Sequence, residues 1–84
     1  MSLSLSSTAR EVQEFLISRG FDETIRINFK RFTGDAILGA TEAAIIRRCG
    51  DEDEGDRLWG ILNSIRQSLT ELSKLHYFLF IYVL

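Results

Sequence analysis

Residues 49–66 read CGDEDEGDRLWGILNSIR, and this stretch decides the fold. Gly50 is placed to end one helix, and Gly55, with Arg57 two places on, is expected to open a long one. Of the first five residues after Gly50, four are carboxylates: Asp51, Glu52, Asp53 and Glu54. A short charged connection into a helix start is a surface suited to contact, because the first turn presents unpaired N–H groups and a partial positive charge.

Downstream, Leu58, Leu62, Ile65, Leu69, Leu72, His76, Leu79 and Val83 alternate steps of four and three. Such a stripe marks a long straight helix with one continuous buried seam. The closing HYFLFIYVL is apolar all round, which a solvated helix would not be. It needs cover, from another copy or from the first helix, so Leu72, His76, Leu79 and Val83 are expected to form an oligomer seam. The stretch is too short to cross a bilayer, which takes about 20 apolar residues. A membrane is therefore not the expected partner, with a membrane segment beginning here as the alternative.

Upstream, Thr8 and Glu11 have capping-box spacing, Val12, Phe15 and Leu16 recur on one face, and Gly20 sits where a helix ends. The first helix is expected from Thr8 to Arg19, with Phe21 packing back across its end. Asp22 is placed to cap a second helix to about Arg31, burying Ile25, Phe29 and Phe32, with Ile27 partly off that face. Thr33-Gly34-Asp35 breaks the run and leaves residues 36–39 room for a single turn. Thr41 restarts a helix that passes Ile45 and Ile46 and stops near Cys49. The expected fold is thus an all-α bundle of five helices, the last one long. Residues 1–7 read as a frayed leader, 8–70 as the bundle and 71–84 as an apolar extension.

The totals agree. Eighty-four residues without proline, 45% of them hydrophobic and 26% charged, suit one ordered helical domain. A net charge of −2 gives no bulk attraction to nucleic acid. One cysteine and no apolar leader point to an intracellular, cytoplasmic setting. One His and one Cys fall short of the four ligands of a zinc site. An EF-hand loop counted from Asp51 would want Gly and Glu where Asp56 and Leu62 stand. No Gly-Lys-Ser/Thr follows Gly55 and Gly60, and no nucleophile, base and orienting group occur together. Neither cofactor nor catalysis is expected. The segment from Thr24 to Gly34 is basic, with Arg26 and Lys30 one turn apart and Arg31 beside them. Arg47 and Arg48 add charge at the end of the fourth helix. These cations read as solvated surface or as a patch for an acidic partner. Nucleic acid and lipid phosphate are less favoured, because no aromatics visibly interleave with these cations at the surface, Phe29 and Phe32 being assigned to the buried face.

The segments EVQEFLISRGF (11–21) and TGDAILGATEAAI (33–45), with Gly50, Gly55 and Arg57 ahead of Leu58, Ile61, Leu62 and Ile65, resemble a sterile alpha motif domain. The similarity runs from Thr8 to Leu69. The family's tryptophan before the first helix is missing, with Ser7 near its place, and death-fold domains are the nearest structural rival. The resemblance implies a protein-interaction module that binds another such domain, in the same or a different protein, often head to tail. One partner contributes the start of its last helix, here Glu54, Gly55, Asp56 and Arg57. The other contributes a surface around its middle helices, here Arg26, Lys30, Arg31, Arg47 and Arg48. An RNA- or lipid-binding variant using the basic residues, or a dimerisation device built on the last helix, are the alternatives.

Overall fold

The computed structural model describes the backbone of residues 2–83 and the side chains as far as Leu69. Four of the five helices begin at a capping side chain. Thr8 and Glu11 close a reciprocal capping box at the start of α1 (Ala9–Ser18). Phe21 then donates its N–H to the Leu16 carbonyl at 3.1 Å, folding its ring back into the core at 3% exposure. Asp22 caps α2 (Glu23–Asn28), and Thr41 caps α4 (Glu42–Cys49), which Gly50 ends in the left-handed conformation at φ 70°. Between them lies the one-turn α3 (Gly34–Leu38). The chain closes with α5 (Glu52–Val83), 32 residues long.

The core gathers Val12, Phe15 and Leu16 of α1 with Ile25, Phe29, Ile37, Leu38, Ile45, Leu58 and Leu62. Each such side chain stabilises the fold by about 1.5–3 kcal/mol through burial. The principal contact is α4 against α5. Trp59, Ile61, Ile65 and Leu69 pack against the core, partly buried.

Three expectations are corrected. First, α2 stops at Asn28 rather than Arg31. Phe29, Lys30 and Phe32 donate to carbonyls three residues back, a tighter winding that turns both Phe29 and Phe32 inward. Their rings meet edge to face at 5.1 Å, while Ile27 stays 53% exposed. Second, α5 starts at Glu52, so Gly55 lies inside its first turn instead of before it. Asp51 supplies the cap, its carboxylate accepting from the Glu54 N–H at 3.0 Å. Third, residues 2–7 are not a frayed leader: Leu3 is 5% exposed within the core and Ser7 is buried. Residues 52–83 form one continuous helix that runs from the bundle into the expected extension. The side chains of the expected seam, Leu72, His76, Leu79 and Val83, lie outside the described residues.

Candidate interaction surfaces

The start of α5 carries five carboxylates, and the structure sorts them by occupation. Asp51 is engaged in the cap. Glu54 takes both the Nε and Nη2 of Arg57, at 3.2 and 2.8 Å. The same guanidinium donates through Nη1 to the Arg19 carbonyl at 2.8 Å and lies 3.9 Å from the centre of the Phe21 ring. Arg57 thus ties α5 to the end of α1, and its hydrogen bond to Glu54 raises its pKa above the ordinary value. Gly55 is buried, and a Cβ there would sit 2.8 Å from the Ile46 Cα. Three of the four helix-end residues named from the sequence therefore hold the domain together. Glu52, Asp53 and Asp56 remain exposed without an ion-pair partner among the described residues.

The basic residues divide in a similar way. Lys30, Arg31 and Arg48 line one groove of about 480 Å³ with Ile27, Asn28 and Phe32, and among the described residues no carboxylate lines it. Arg48 is held in place: its guanidinium stacks 4.7 Å from the centre of the Phe32 ring and donates to the Asn28 carbonyl at 3.4 Å. In return Asn28 Nδ2 donates to the Arg48 carbonyl at 2.8 Å, joining the ends of α2 and α4. A guanidinium fixed this way loses less freedom when an anion binds. Arg26 is half-buried, with its Nε covered, while Arg47 is exposed on α4; neither lines the groove. Asn28 and Phe32 were not foreseen as site residues, because their shared partner, Arg48, stands on another helix, far along the sequence.

The two ion pairs among the described residues are Arg10–Glu14 and Arg57–Glu54, and neither links the groove to the acids of α5. Beneath the start of α5 lies Cys49, whose thiol is pushed up to about 11 by burial and by the nearby Glu54 and Asp51 carboxylates. A thiol held neutral in the fold stabilises it below the unfolded pKa near 9.0, and that contribution is lost as pH rises through about 11. Iodoacetamide at pH 8 should therefore leave Cys49 unlabelled in the native domain and modify it quickly in denaturant. Comparable mass-spectrometric labelling rates in the two states would contradict this burial.

Among the described residues no group of three His, Cys, Asp or Glu side chains is placed to hold a metal ion, and no helix is long and apolar enough to cross a membrane. No curated protein and no solved structure matches the chain. Residues 1–63 match the family model of the SAM domain (sterile alpha motif), and with these five helices in this order the chain belongs to that family.

Proposed function

We propose that this domain binds a second copy of itself head to tail, the exposed acids Glu52, Asp53 and Asp56 of one copy entering the Lys30–Arg31–Arg48 groove of the next. Sterile alpha motif domains are typically non-catalytic protein-interaction modules, and the reading gives that role two surfaces. The observation that carries it is the pairing of a basic groove with the exposed acids Glu52, Asp53 and Asp56, neither of them ion-paired among the described residues. A helix start ordinarily attracts anions, so its own carboxylates lower that attraction and favour a cationic partner. Two unlike surfaces joining in this way propagate into chains unless the rotation closes.

The test is light scattering at several concentrations and salt levels. Asp56→Lys and Arg48→Glu should each lower self-association about tenfold or more, and mixing the two should restore a closed pair. The wild-type association should weaken with salt, because these charges face water. Association indifferent to both substitutions and to salt, but lost on truncation after Lys74, would assign self-association to the α5 seam and overturn the proposal.

A further inference from the structure

We infer that residues 2–7 form a strap that positions the basic groove, so that releasing the strap lowers partner affinity while the helical bundle stays folded. The inference rests on the groove being the binding surface proposed above. The strap is anchored at its two ends. Leu3 enters the core at 5% exposure, and Ser7 is buried at 7%. A compact turn joins them: the Ser7 N–H donates to the Ser4 carbonyl at 3.1 Å and the Ser4 N–H to Ser7 Oγ at 3.0 Å. Leu5 between them is 60% exposed.

What the strap holds is the beginning of α3. Helix starts carry N–H groups without helical partners, which side chains usually satisfy. Thr33 stands at the cap position but makes no such bond, since its hydroxyl goes to the Asp35 carboxylate. The Gly34 N–H is taken instead by the Ser7 carbonyl, at 2.8 Å. Only glycine admits this arrangement, because a Cβ on residue 34 would lie 1.9 Å from the Ser4 carbonyl oxygen. Gly34 ends the connection that carries Arg31 and Phe32 into the groove, and Phe32 supports the Arg48 guanidinium. A short segment with few anchors opens at lower cost than the whole bundle, so its position can vary while the five helices persist.

Gly34→Ala is the direct test: alanine is the better helix former, so α3 is not weakened by propensity, yet its Cβ displaces the strap. Far-UV circular dichroism should be unchanged, and amide exchange at residues 4 and 7 should quicken. Self-association should fall roughly five- to tenfold, the effect of losing one cap-strength interaction. Leu3→Asp should do the same from the other anchor, and Leu3→Met should restore wild-type affinity. A strap released in both variants with association as tight as wild type overturns the inference, as does failure of either variant to release it. If the unaltered domain does not self-associate, the proposed function falls instead. Backbone amide shifts of Lys30, Arg31, Phe32 and Arg48 in monomeric Gly34→Ala then decide the strap's role: moved shifts support it and unmoved shifts overturn it.

Discussion

Gly55→Asp should unfold the domain rather than disarm a binding surface. The Cβ position at residue 55 lies 2.8 Å from the Ile46 Cα, 2.9 Å from its Cγ1 and 3.2 Å from its Cβ. Two of these atoms belong to the rigid part of the residue, so the clash is relieved only by moving α5 away from α4, the principal contact of the bundle. Overpacking of this kind costs about 1–3 kcal/mol for a single methyl. An aspartate adds a carboxylate that must be buried or must pry the helices apart, at several kcal/mol more. A domain of this size has a total stability of roughly 4–12 kcal/mol, so most of it is removed. Thermal melts followed by circular dichroism should show Gly55→Ala folded but less stable, and Gly55→Asp largely unfolded at 37 °C. A Gly55→Asp domain melting within a few degrees of wild type would mean that the helices do not approach this closely.

How much was legible in the sequence depended on the range of each interaction. Caps act over three residues, so Thr8 with Glu11, Asp22, Thr41 and Gly50 marked their helix ends correctly. The start of α5 was misplaced because four acids in succession hide which one caps, and only the geometry singles out Asp51. Gly55 then looked like a helix opener, whereas its requirement comes from Ile46, on another helix. Residues 2–7 looked like a leader because two leucines among serines, Leu3 and Leu5, do not show which of them is buried. The burial of Leu3 depends on a glycine at residue 34 that leaves room for Ser4. The basic cluster was visible as composition, but its division was not. Arg48 joins Lys30 and Arg31 through Asn28 and Phe32, while Arg26 turns partly inward. Local chemistry was readable, and contacts made after the chain had turned back on itself were not.

Arg57 gives the other large effect, and it separates a latch from a recognition residue. Its guanidinium serves three partners at once: the Glu54 carboxylate, the Arg19 carbonyl at the end of α1, and the Phe21 ring. The ion pair counts least, because both side chains are more than a third exposed and such pairs contribute about 0–1 kcal/mol. The bond to the Arg19 carbonyl is charge-assisted and contributes about 1.5 kcal/mol, and the ring contact adds about 0.5–1 kcal/mol. Arg57→Ala should then cost about 2 kcal/mol, or a fall in Tm on the order of 10 °C for a domain of this length. Arg57→Lys should recover little of this, since an ammonium cannot reach carbonyl and carboxylate together while lying flat on a ring. Glu54→Gln should cost far less than Arg57→Ala, because it removes only the exposed pair. The order is what matters: if Glu54→Gln destabilises as much as Arg57→Ala, the ion pair rather than the α1 end is the seat of the effect, and the latch is wrongly drawn. A Tm unchanged in Arg57→Ala, with self-association lost, would return this arginine to the partner surface.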